Sequence, residues 1–148
     1  MKVQGQYELP APQQKVWEAL NDPEILKLSI PGCETLDKNS DTELTAKVAA
    51  KVGPVSAKFT GKVTLSDINP PQSYKISGEG QGGVAGFAKG EATVNLSPQD
   101  SGTKLEYTAK ASIGGKLAQV GARLVDGVAK KMAGQFFEAF NKRVSSKA

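Results

Sequence analysis

Few residues in this 148-residue chain can do chemistry, and their types exclude more than they suggest. There is no histidine, which removes the usual general base near neutral pH, the commonest metal ligand and any Ser-His or Cys-His nucleophile. Cys33 is the sole thiol; it excludes an internal disulfide, lacks the partners of a zinc site and sits in a Pro-Gly turn where a small, semi-buried residue is expected. The run Gly78-Glu-Gly80-Gln-Gly-Gly83 has the glycine density of a nucleotide loop. It does not lead from a strand into a helix, however, and no Lys-Ser/Thr pair closes a phosphate cradle. Three carboxylates could matter by position. Glu79 and Asp126 fall on predicted wet faces, while Glu34 follows the break after a short helix, near the expected open end of a sheet, where a capping or surface role is expected. Tyr107 and Glu34 are the groups that could act as an acid if the site were catalytic. No catalytic or metal-binding residue is assigned, and a non-enzymatic protein is expected.

The length suits one domain, 1–148, able to bury on the order of 70% of its unfolded surface. The apolar runs are too short to span a bilayer, and Met1-Lys2-Val3-Gln4 enters a strand pattern with no signal-peptide core behind it, so a cytoplasmic protein is expected. The net charge of +4 comes from Lys and Arg spread along most strands. Without a dense basic block interleaved with aromatics, it argues against nucleic acid. Lys142, Arg143 and Lys147 gather near the C-terminus, where they solubilise the chain or attract an anionic surface.

The element that must position everything else is the stretch Lys116 to Arg143. Leu117, Val120, Leu124, Val128, Met132, Phe136 and Phe140 recur at intervals of three and four, which predicts one long helix on the order of 40 Å in length. Before it, Val3, Tyr7 and Leu9 alternate with polar residues as a strand. Gln13 to Asn21 reads as a short helix burying Val16, Trp17 and Leu20, and Asp22-Pro23 opens a second through Leu28. Ile30 to Glu34 breaks that helix, and Lys38 to Thr42 is a polar loop. The chain then alternates through antiparallel strands divided by turns at Gly53-Pro54, Asn69 to Gln72, Gly83 to Gly86 and Ser97 to Gly102, until Gly114-Gly115 releases it into the long helix. With no crossover pattern between strands, the expected fold is α+β: a curved antiparallel sheet wrapped around the final helix, with two short helices after the first strand.

The inner face of that sheet is poor in bulk, because Ala46, Ala50, Ala57, Gly61, Gly78, Gly80, Gly82, Ala88, Gly90, Ala92, Ala109 and Ala111 all project inward. Glycines in strands permit bending and close approach of the helix. Small residues equally leave volume for a ligand, since interiors otherwise pack to a density of about 0.74. Gly121, Gly127 and Gly134 inside the helix each cost roughly 1 kcal/mol against alanine and raise the same two alternatives. Composition supports both equally. If there is a pocket, its wall comes from Trp17, Leu20, Ile25, Leu28, Phe59, Val63, Tyr74, Ile76, Phe87, Val94, Tyr107, Leu117, Val120, Leu124 and Val128, all of which are also ordinary core residue types. The two short helices and the Gly83 to Gly86 turn would gate it.

Several local strings resemble the CoxG family of carbon monoxide dehydrogenase proteins: Pro31-Gly32-Cys33-Glu34, Gly53-Pro54 with Phe59-Thr60-Gly61, Gly78-Glu-Gly80-Gln-Gly-Gly83 with Gly86 and Gly90, Ile113-Gly114-Gly115-Lys116-Leu117-Ala118 with Gly121-Ala122-Arg123-Leu124, and Phe136-Phe137. The resemblance covers nearly the whole chain and is most specific from Gly114 to Leu124. It implies the START-like (SRPBCC), or helix-grip, fold, in which a curved sheet and a C-terminal helix hold an apolar ligand. It further implies a non-catalytic accessory protein that works beside an aerobic molybdenum-containing carbon monoxide dehydrogenase or related hydroxylase, handles quinone or a lipid-like molecule, and helps recruit the enzyme to the membrane. No covalently bound cofactor is implied. Some relatives carry a C-terminal extension with an anchor; this chain ends at Ala148, so contact at the inner face of the membrane is expected to be peripheral. A pure protein–protein adaptor with a filled interior and a START-like cyclase or hydrolase are the alternatives, because the fold alone does not fix the function.

Overall fold

The structure, a computed structural model, describes residues 2–100 and 102–146. Met1, Ser101, Lys147 and Ala148, which the sequence places in a strand start, a turn, a basic cluster and the chain's end, lie outside the described residues. Strand β1 (Lys2–Leu9) is followed by helices α1 (Gln13–Leu20) and α2 (Pro23–Ser29), then by β2 (Cys33–Lys38), β3 (Glu43–Val52), β4 (Val55–Asn69), β5 (Ser73–Gln81), β6 (Phe87–Gln99) and β7 (Gly102–Gly114). Helix α3 (Lys116–Gln119) and helix α4 (Ala122–Ser146) complete the described chain. The seven strands form one antiparallel sheet in the order β1-β7-β6-β5-β4-β3-β2, curved but not closed, with β1 and β2 at its edges.

The period-two pattern sets which side of the sheet meets the helix, and the glycines set its curvature. Gly61 lies directly opposite Gly80, and Gly78 opposite Gly90, so three neighbouring central strands lack side chains where the sheet must bend. At Gly90 an added Cβ would come within 2.5 Å of the Lys110 carbonyl oxygen, so here the small residue does serve close backbone approach. Local chemistry starts and stops the short helices. Asp22 Oδ1 accepts a hydrogen bond of 2.9 Å from the Glu24 N–H, and Pro23 takes the first helical position, where its missing N–H is harmless. The buried Ser29 hydroxyl, in the last turn of α2, donates to the Ile25 carbonyl at 2.7 Å. Thr103, 1% exposed, donates 2.7 Å to the Ala11 carbonyl and so ties the segment after β1 to the start of β7.

Two sequence expectations are corrected. The helix read as continuous from Lys116 to Arg143 is interrupted: Gly121 adopts φ +100°, outside helical geometry, and separates α3 from α4. The stretch read as a helix break and polar loop contains β2. That strand offers one apolar side chain, Leu36, and a bulge between Cys33 and Thr35, so no alternation announces it.

The core is concentrated at one end of the grip. Phe137, Phe140 and Val144 in the C-terminal half of α4 are 9%, 0% and 2% exposed and pack with Leu9, Val16, Trp17, Leu20, Leu65, Leu96 and Leu105. No residue of 122–135 is buried, and an added Cβ at Gly127 or Gly134 would meet nothing within 4 Å. The helix glycines therefore do not serve close packing on the sheet. Phe140→Ala is expected to cost about 3–5 kcal/mol, whereas Gly127→Ala is expected to stabilise by up to about 1 kcal/mol, both read from urea unfolding midpoints.

Candidate functional site: an apolar cavity inside the grip

Between the sheet and the seated end of α4 lies a cavity of about 280 Å³. It is just short of the ~300–1,000 Å³ usual for small-molecule sites and well short of an interior filled by side chains. The sheet supplies most of the wall from inward positions: Leu36 on β2, Leu44 on β3, Val63 and Leu65 on β4, Tyr74 and Ile76 on β5, Ala92 and Val94 on β6, and Leu105 and Tyr107 on β7. Leu20 and Asn21 at the end of α1, with Leu26 and Ile30 at α2, close one side, and Phe136 and Phe137 of α4 close another. Lys38 is the one charged residue of this wall among the described residues; it is exposed on the edge strand. Ala92 matters by its size, since a larger residue there would occupy the hollow.

Aromatic contacts fix the shape of the wall. The Phe137 ring stacks on Tyr7 at 4.2 Å between centroids and on Tyr107 at 5.3 Å, and the Phe136 ring stands edge-on to it at 5.0 Å. Tyr107 fits beside β1 because its cross-strand partner is Gly5, where a Cβ would lie 2.8 Å from the ring. Trp17 packs edge-to-face on Tyr74 at 5.3 Å, so the single tryptophan sits directly behind a cavity residue. Burial pushes the Tyr74 phenol far above its ordinary pKa, and burial with Tyr7 alongside raises that of Tyr107.

Of the fifteen wall candidates read from sequence, Leu20, Val63, Tyr74, Ile76, Val94 and Tyr107 border this cavity. Trp17 and Ile25 are buried in the adjoining core, and Leu28 is 58% exposed on α2. Phe59 lies against Gly82 and Phe87 against Gly114, each ring occupying the space a Cβ would need, at the end of the sheet away from the cavity wall. Leu117 is buried under α3. Val120, Leu124 and Val128 line a separate shallow groove along the front of α4, where Leu124 reaches Gly53. The turn at Gly83 to Gly86 forms a short 3-10 helix touching α3 and β4 and borders none of the cavity. Sequence reading did not assign Leu26, Ile30, Leu36, Leu44, Leu65, Ala92, Leu105, Phe136 or Phe137 to the wall. The sheet members among them, Leu36 apart, were visible as inward positions, and Leu36 required β2.

The remaining candidates for chemistry are scattered. Glu34 pairs with Lys58 at 3.4 Å on the surface, and Glu79 accepts a 3.0 Å hydrogen bond from the Gln81 amide. The Cys33 thiol donates to the Thr35 carbonyl at 3.3 Å; burial pushes its pKa up, against a smaller lowering by Lys27. A wider depression on the outer face, lined by Lys62, Glu79, Lys89, Glu91 and Lys110, is open and polar, a place for water rather than an apolar guest.

The model of the carbon monoxide dehydrogenase CoxG family matches residues 5–145. The chain belongs to the CoxG family. Among curated proteins, none matches this sequence. A conserved protein from Geobacillus kaustophilus of known structure is 34% identical over 99% of this chain and 96% of its own, with a TM-score of 0.92. The Zhui aromatase/cyclase of Streptomyces sp. R1128 (15% identity, TM-score 0.69, 98% of this chain and 93% of that one) and Ara h 8.0201 (16%, 0.66, 99% and 98%) share the fold of this CoxG family member. These likenesses place it among START-like, helix-grip proteins. Among the described residues, no helix is long and apolar enough to cross a membrane.

The raised phenol pKa values give a pH dependence. A tyrosine that stays neutral in the fold stabilises it fully below the unfolded value near ~10 and loses that contribution as pH climbs above it. Urea midpoints are therefore expected to hold between pH 7 and 9 and to fall above about pH 10, with Tyr74→Phe removing part of the fall.

Proposed function

We propose that this CoxG family member is a non-catalytic accessory protein that binds a neutral hydrophobic molecule, a quinone or similar lipid, between the sheet and α4. The observation that carries the reading is the apolar cavity of about 280 Å³ walled by inward strand residues and the Phe136-Phe137 pair. Burial of a ligand there is worth roughly 25 cal/mol per Å² of apolar surface, enough to drive binding without any charged contact. The volume suits a ring system, with any longer tail leaving past α2 and the β2 edge. The family name supports a working place beside a molybdenum-containing carbon monoxide dehydrogenase. The scattered carboxylates, the unreactive Cys33 and the absence of histidine favour a carrier over the cyclase chemistry found on the same fold.

A peripheral contact with the inner face of the membrane belongs to the same proposal. Val84, Phe87 and Leu124 are 85%, 42% and 40% exposed around the Gly83 to Gly86 turn and the front of α4, near the basic residues Lys116, Arg123 and Lys131. Exposed apolar residues beside cations suit an anionic lipid surface.

Titration with 2-methyl-1,4-naphthoquinone is expected to quench Trp17 emission saturably. Ala92→Phe, which places a ring in the cavity, is expected to weaken binding at least ten-fold while the urea midpoint stays within the range of ordinary core substitutions. An Ala92→Phe protein that binds as well as wild type would place the ligand elsewhere.

A further inference from the structure

Tyr74 presents a polar atom that the protein's own structure leaves unused. Its residue is 5% exposed, held in β5 opposite Val94 and braced by the Trp17 ring, yet among the described residues its hydroxyl has no hydrogen-bond partner. Among those residues, no side-chain oxygen or nitrogen sealed from solvent-sized space lacks a partner, so this hydroxyl borders the cavity that Tyr74 helps to line. A donor in an apolar wall is costly unless something accepts from it. In the empty protein that acceptor is water entering the hollow. A guest that expels the water and offers no acceptor forfeits the hydrogen bond, and a guest that replaces it does not.

We infer that the Tyr74 hydroxyl is the recognition group of the cavity, and that the site selects neutral, flat apolar molecules bearing a carbonyl oxygen over hydrocarbons and over carboxylates. This rests on the carrier reading and narrows its ligand class. A carbonyl accepts without bringing a donor of its own. The neighbouring Asn21 amide already donates to the Trp17 carbonyl at 2.9 Å, which leaves Tyr74 as the free donor on this wall. A carboxylate at Tyr74 would be buried without a counter-charge, because Lys38, the one cation of the described wall, lies exposed on the edge strand. Burial favours the un-ionised phenol, so the donor persists across the physiological range.

The test is a comparison of three naphthalenes by calorimetric titration: 2-acetylnaphthalene, 2-ethylnaphthalene and 2-naphthoate, each against wild type and Tyr74→Phe. The ratio of ketone to hydrocarbon affinity is expected to fall about five- to ten-fold in Tyr74→Phe, the worth of one hydrogen bond, while hydrocarbon affinity is unchanged or rises. The Tyr74→Phe protein is expected to keep or raise its urea midpoint at pH 7, because the lost hydroxyl served no partner in the fold; a lowered midpoint would mark it as structural and overturn the inference. An unchanged ratio, or naphthoate outbinding the ketone in wild type, would also overturn it while leaving a carrier of another ligand class. If none of the three binds wild type, the inference and the carrier reading fall together.

Discussion

The seating of Phe137, Phe140 and Val144 against the sheet and α1 is the contact on which the remaining architecture depends. A curved sheet of seven strands with two free edges cannot close on itself, so something must cover its concave side. The aromatic end of α4 does this at one end only. Phe137 spans Tyr7 of β1 and Tyr107 of β7, fastening the helix to adjacent strands, while the core beside it draws in α1 through Val16, Trp17 and Leu20. The cavity exists because the next layer of sheet residues, ending at Ala92, is too small to meet the helix once those rings have set its distance.

Much of this was legible in the chain itself. Period-two runs such as Leu44, Ala46, Val48, Ala50 and Val52 identify strands and their inner face without ambiguity, and the three-and-four spacing near Phe136 and Phe140 identifies the helix. Periodicity reports direction, not distance. It could say that Phe59, Val63 and Ile76 share a face, but not that Val63 and Ile76 border a hollow while Phe59 rests on Gly82. Likewise Leu124 and Phe136 share a helical pattern, yet only the latter reaches the cavity. The strand β2 was invisible because an edge strand with one apolar residue has no alternation to show, and Gly121 read as a tolerated helix interior because its conformation is set by the chain around it.

The fold also explains why a START-like family can be put to different uses. The sheet, the paired glycines and the seated helix specify a container, and the residues that could turn it into a catalyst are separate choices placed on its wall. In this chain the wall is nearly featureless, with hydroxyls from tyrosines and, among the described residues, no cluster of titratable groups. A container of this kind holds by exclusion of water more than by directed bonds, so small changes in wall volume should matter more than changes in surface charge.

The bulge between Cys33 and Thr35 bears on how such an open sheet survives in a crowded solution. A sheet that ends in free N–H and C=O groups is a template on which another chain's strand can grow. At β2 the uninterrupted pairing with β3 runs for only four residues, Thr35 to Lys38, and that stretch carries Asp37 and Lys38. An incoming strand therefore finds a short, kinked and charged border, and the molecule can keep its interior accessible without inviting polymerisation along its rim.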